Sequence, residues 1–229
     1  MSILIKILLI LHVAGGITTL ISGPMAIFFN WNNVKAHRAA GKVFFIAMLV
    51  VCFSSILTFA RHPEKIFYQF LFGLSFVVLA QLVRGVRAIF LMKRQPVLTL
   101  DYVLGILSLV AGLGMVGMAI YLLTKPELMP FAILFGVFGT GSIVDGVKWW
   151  KLIGGAERVR PLDWLQLHTG SMIGSFIAST TAFTVNVAHF LPWYAQWFGP
   201  TILLVPISIY FGKKIRAKAN SAVSQSVVD

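Results

Sequence analysis

The sequence predicts an all-α integral membrane protein, a bundle of about seven transmembrane helices with its N-terminus outside and its C-terminus in the cytoplasm. Three observations carry this. The 229 residues are 58% hydrophobic and only 11% charged, whereas a soluble domain carries about a quarter charged residues. Apolar runs of about 20 residues, the length that crosses the hydrocarbon layer, recur along the chain. Lys and Arg gather at alternate ends of those runs, as topology signals do.

The first run, Ile3–Phe29, follows a single basic residue, Lys6, and no small-x-small cleavage site closes it. It reads as a retained helix rather than a signal peptide. The second, Val43–Ala60, holds Cys52, the single cysteine. One thiol excludes an intrachain disulfide and a thiolate zinc cluster, and inside an apolar segment it reads as a small hydrophobe. The third run is Ile66–Arg84, the fourth Tyr102–Leu123, the fifth Phe131–Trp149, the sixth Trp164–Phe190 and the seventh Phe198–Phe211. Breakers separate them, as in Arg61-His62-Pro63, Lys125-Pro126 and Leu191-Pro192. Residues 1–216 are expected to form one transmembrane domain. Residues 217–229 are polar and are expected to be a disordered cytoplasmic tail.

A net charge of +12 and a pI near 10.2 would point to nucleic acid in a soluble chain. Here the cations sit at the ends of apolar segments, which excludes a basic strand-binding surface. They point to a lipid bilayer, with anionic lipids at the cytoplasmic face. Fifteen of the 19 Lys and Arg fall on one side, leaving Lys6, Arg61, Lys65 and Lys125 on the other. The positive-inside rule makes the richer side cytoplasmic. A second copy or another membrane protein is a candidate partner.

Small residues at four-residue spacing let helix backbones approach. Gly170, Gly174, Ala178, Ala182 and Asn186 form the clearest series, with Gly105, Gly112 and Gly117 in the fourth helix and Gly136, Gly139 and Gly141 in the fifth. Residues 11–30 overlay residues 167–186 with six identities, including Leu-His at the start and Asn at the end. Those two helices would run oppositely, as inverted repeats do, although the match does not extend into the following helices.

Polar and ionisable groups inside a bilayer are functional candidates by default. His12 falls in the outer half of the first helix, His62 and His189 at outer helix ends, and His37 and His168 toward the cytoplasm. His37 with His168 would offer an inner site for haem b or a divalent metal, and His12 with His189 a separate outer one, since imidazole suits zinc, copper and haem iron. Each histidine is also readable as a hydrogen-bonded interfacial or packing residue, His62 and His189 above all. Arg38, Gln81, Arg84 and Asp145 converge at the inner depth. Asp145, the one acid well inside an apolar run, calls for a partner among Arg84, His168 and Lys148. On the sixth helix Ser171, Ser175 and Ser179 lie near the face shared by His168 and Asn186, a polar stripe suited to a proton or solute path, or to hydroxyls bonding back to carbonyls.

The run Lys35-Ala36-His37-Arg38-Ala39-Ala40-Gly41-Lys42, with His12 and Gly16 before it and His168 through Ser175 after it, resembles a family of bacterial polytopic membrane proteins defined by a domain of unknown function. The resemblance implies a bacterial cytoplasmic membrane, supplies no reaction, and marks His12, His37, Arg38, Gly41 and His168. No His-Glu-x-x-His, Walker or Gly-x-Ser-x-Gly sequence occurs. The seventh helix has no mid-membrane lysine for a retinal Schiff base. No helix carries the two histidines 13 or 14 residues apart that two-haem cytochrome b bundles stack. Three functions remain expected: a histidine-ligated haem or metal redox protein with a cytoplasmic-side site, a small-solute or proton transporter using the sixth helix, and a non-catalytic assembly subunit.

Overall fold

The computed structural model describes residues 3–30, 32–59 and 62–228, with the side chains of Leu4 and of residues 218–228 outside that description. Arg61, one of the outer cations, Ala60, the expected end of the second run, and the Lys218 side chain therefore lie outside the described residues.

Among the described residues the fold is all helical. Its elements are α1 (Ile3–Phe29), α2 (Val34–Phe59), α3 (Ile66–Met92), α4 (Thr99–Leu122), a 3-10 turn (Pro126–Leu128), α5 (Met129–Gly154), α6 (Pro161–Val187) and α7 (Trp193–Val228). Helices α1 to α5 are long and apolar enough to cross a membrane. The α6 interior carries a series of hydroxyls, and α7 holds Gln196, Pro200 and Pro206, which lowers the hydropathy of both.

Several helices outrun their apolar segments. α2 starts at Val34 because Asn33 caps it, its Oδ1 accepting the Ala36 N–H at 3.0 Å. The basic stretch Lys35–Lys42 is thus helical, and His37 sits in the first turn. α3 continues past Arg84 to Met92 and closes on a Schellman pattern, with Gln95 N–H on the Phe90 carbonyl and Arg94 N–H on Leu91. Arg94 takes the left-handed conformation at φ 61°. Its guanidinium donates to the carbonyls of Glu157 at 2.8 Å and Val159 at 3.4 Å. Apolar runs mark the stretch that crosses hydrocarbon, while backbone hydrogen bonding carries the helix on into the polar interface. α7 likewise runs through residue 217 to Val228.

Contacts gather the chain into two compact units, Met1–Gln81 with Leu98–Gly154, and Leu82–Val97 with Gly155–Asp229. In the first, α1 packs on α2 and α4 on α5. The α4–α5 seam alternates three- and four-residue steps, through Ser108, Gly112, Met115, Ala119 and Leu122 on α4 and Phe135, Gly139, Ser142, Gly146 and Trp149 on α5, all buried. That is the coiled-coil spacing, with small residues where the backbones meet. A Cβ on Gly139 would lie 2.9 Å from the Gly112 carbonyl oxygen, and one on Gly112 would lie 2.8 Å from the Gly139 oxygen. Ser142 Oγ donates to the Ser108 carbonyl at 2.8 Å, and the fully buried Trp149 donates its indole N–H to the Asp101 carbonyl at 2.6 Å. Asp101 itself accepts the Leu98 N–H at 2.8 Å, capping α4 as its place at the helix start implies. Phe70 of α3 meets Phe135 edge-on at 5.2 Å.

In the second unit α6 packs on α7. Thr184 of α6 donates to the Gln196 carbonyl of α7 at 2.7 Å, and Arg216 to Gln166 Oε1 at 3.1 Å. The close approach of α3 and α6 rests on Gly85, where a Cβ would collide with Met172 and lie 2.8 Å from Ser171 Cβ.

Candidate functional site

Three of the five histidines hold Nδ1 within 2.9 Å of an oxygen on a neighbouring helix. His37, in the first turn of α2, faces the last turn of α1, where the final carbonyls have no helical partner. Asn30 N–H turns back to Ile27, and the Ala26 carbonyl is met instead by His37 Nδ1 at 2.8 Å. A carbonyl only accepts, so Nδ1 carries the proton and the neutral ring keeps its lone pair on Nε2.

His12 reaches the same state by a different route. Its Nδ1 lies 2.9 Å from Ser54 Oγ on α2. The single proton of that hydroxyl is committed to the carbonyls of Val50 at 2.6 Å and Val51 at 3.0 Å. The Ser54 oxygen therefore accepts from His12, and Nε2 is again the unprotonated nitrogen. His168 of α6 donates Nδ1–H to the Gly85 carbonyl at 2.8 Å.

Glycines stand beside two of these rings. Gly16 follows His12 by one turn of α1, and Gly41 follows His37 by one turn of α2. A Cβ at either glycine meets nothing within 4 Å. The Nε2 of the half-buried His37 makes no hydrogen bond to a described residue, while the His12 ring also meets the Val51 backbone. The two rings are far apart. His37 sits at the level of Ala26, 14 residues from His12, which is about 21 Å along α1, so they cannot share a ligand.

Among the described residues no group of three or more His, Cys, Asp or Glu gathers as a metal site would require. His62 donates to Glu64 at 3.2 Å in the exposed loop before α3. The backbone N–H of Glu64 itself, and less strongly His62, hold that carboxyl below its usual range. His189 is exposed just past α6.

The other sequence candidates scatter. Arg38 is exposed, Gln81 is half-buried at the end of the first unit's share of α3, and Arg84 is buried in the second unit. Asp145 is half-buried on α5 and opens onto a groove of about 640 Å³ whose walls, Ile133, Val137, Thr140, Gly141 and Val144, come from α5 alone. Within the first unit it makes no hydrogen bond or ion pair with a described residue, and Lys148, one turn on, does not pair with it. Ser175 is fully buried and donates to the Ser171 carbonyl at 2.9 Å. Asn186 is exposed and donates to Ala182 at 2.7 Å. Both of these members of the polar stripe donate to the α6 backbone.

Ser54 and the carbonyls of Ala26 and Gly85 are absent from a reading of the sequence. Hairpin symmetry is the signal that would have found two of them. His12 with Ser54, and Ala26 with His37, are placed almost evenly about the turn between α1 and α2. Comparisons with protein-family models, curated proteins and solved structures return no match.

Proposed function

We propose that this chain is a seven-span protein of a bacterial cytoplasmic membrane that binds haem through histidine Nε2 atoms and uses it for one-electron transfer. The cytoplasmic-side ligand is His37, and His12 supplies a separate outer position. His168 is a candidate ligand of the second unit. The observation that carries the reading is the shared tautomer, because a ligating histidine donates its other ring N–H to a carbonyl or similar acceptor.

The open glycines add to it. A tetrapyrrole held by His12 or His37 would need room beside the ring, and the open space at Gly16 and Gly41, each one turn on, would give it. The donor set favours haem over a bare metal. Zinc asks for three or four protein ligands, whereas haem iron brings four nitrogens of its own and takes one or two histidines.

The seven-span arrangement rests on helix length and charge. α6 has 27 residues and α7 has 36, and at 1.5 Å per residue both exceed the roughly 30 Å hydrocarbon layer. Ser171, Ser175 and Ser179 are buried, so these three hydroxyls need not face lipid. The 15 cations on one side support an N-terminus outside and anionic lipid at the cytoplasmic face.

The test is an absorption spectrum and pyridine haemochrome analysis of the full chain, purified from cells supplied with a haem precursor. A Soret band diminished by His37→Ala is the expected result. Protein with neither a Soret band nor stoichiometric metal overturns the reading.

A further inference from the structure

The two faces of α5 are used differently. One is buried within the first unit, and its glycines are spent there, Gly139 on the α4 backbone and Gly146 on Leu109 and Ser108. The opposite face carries Ile133, Val137, Thr140, Gly141 and Val144 around the open groove. Gly136 and Gly141 border that groove without serving internal packing. A Cβ on Gly141 meets nothing within 4 Å, and one on Gly136 meets only Ala119 Cβ at 3.8 Å.

Charge is the second observation. Asp145 and Lys148 stand one turn apart on the same side of α5, about 60° from each other. Neither forms an ion pair or hydrogen bond with a described residue, the other included. An acid inside an apolar span is costly unless something pairs with it.

We infer that this face of α5 is the contact between two copies of the chain in the membrane. A two-fold axis beside the groove sets Asp145 of each copy against Lys148 of the other, so one patch satisfies itself twice. That self-complementarity is what a symmetric interface requires. A helix from a different protein would have to supply both charges at matching depth, whereas a second copy already carries them. Gly141, one turn before Asp145, removes the side chain that would hold the two backbones apart. The inference does not depend on haem binding.

The experiment measures the dimer fraction of fluorophore-labelled full chain in phosphatidylethanolamine–phosphatidylglycerol vesicles, by energy transfer across a lipid dilution series. Wild type is expected to dimerise. Gly141→Leu enters open space in the single chain and blocks the contact, and Asp145→Lys sets cation against cation. Each is expected to weaken association by about tenfold or more. The exchange Asp145→Lys with Lys148→Asp restores the pairing and should recover the wild-type dimer fraction. Should Gly141→Leu fail to fold, the charge exchange decides alone. A wild-type chain that stays monomeric, with lipid or another protein taking the face, overturns the inference. So do single variants as dimeric as wild type, or an exchange that restores nothing.

Discussion

His37 donates its Nδ1–H to the carbonyl of Ala26 at 2.8 Å, joining the first turn of α2 to the last turn of α1. The bond fills a carbonyl that helix geometry leaves unpaired and fixes which ring nitrogen is protonated. In lipid bilayers, nitrogen-15 NMR of His37 is expected to report a protonated Nδ1 and an unprotonated Nε2 in the neutral ring. The opposite tautomer would remove the basis for ligation there.

The separation of His12 from His37 makes a second expectation. With about 21 Å between their levels, His37→Ala and His12→Ala should each remove their own share of bound haem, and the double variant should lose the sum. A single variant that abolishes all haem would mean one shared centre.

Orientation is checked with single cysteines at positions 64, 127 and 217. The native Cys52 is buried and contributes little background. A membrane-impermeant maleimide added outside should label positions 64 and 127 and spare 217. The reverse pattern inverts the topology.

The α4–α5 seam makes a prediction about stability. Gly112 faces the Gly139 backbone, while Gly117 faces open space. Gly112→Leu should destabilise by about 1–3 kcal/mol or more through overpacking, and Gly117→Leu should change little. Thermal unfolding in detergent compares the two. Trp149→Phe, which removes the indole donor to the Asp101 carbonyl, should cost about 0.5–1.5 kcal/mol.

The loop before α3 carries the pH expectation. The Glu64 carboxyl titrates below its ordinary value, held down first by its own backbone N–H and then by His62. A depressed carboxylate contributes stability above its unfolded value near 4.3 and loses it as pH falls through the lower folded value. Because the group is exposed, the contribution is small. NMR titration should find Glu64 low, and His62→Ala should move it only part of the way back.

The membrane nature of the chain and the approximate place of each helix were legible in composition and apolar runs, because those set how a segment partitions between water and lipid. Asp101 was read as an acid at a helix start, and the structure makes it the cap of α4. Helix ends were less legible. The apolar run places α2 at Val43, but Asn33 and backbone hydrogen bonding start it at Val34, and that shift brings His37 onto a helix. Glycine spacing was legible without its consequence. Gly112 and Gly139 touch, Gly117 and Gly141 do not, and Gly85, unmarked by any series, carries the approach of α3 to α6.

The histidines divide in the same way. The sequence by itself determined that five imidazoles exist, that His12 and His37 precede glycines by one turn, and that polar groups in an apolar chain demand partners. Only the tertiary structure decided which partners. Ser54 lies 42 residues from His12 and Gly85 lies 83 from His168, and nothing local in the chain links such pairs. It also left Asp145 beside the open face of α5, unpaired with Lys148 of the same helix. A side chain's partner depends on how two helices rotate against each other. That rotation is set by where small residues allow backbones to close, a property of pairs of helices that no single segment carries.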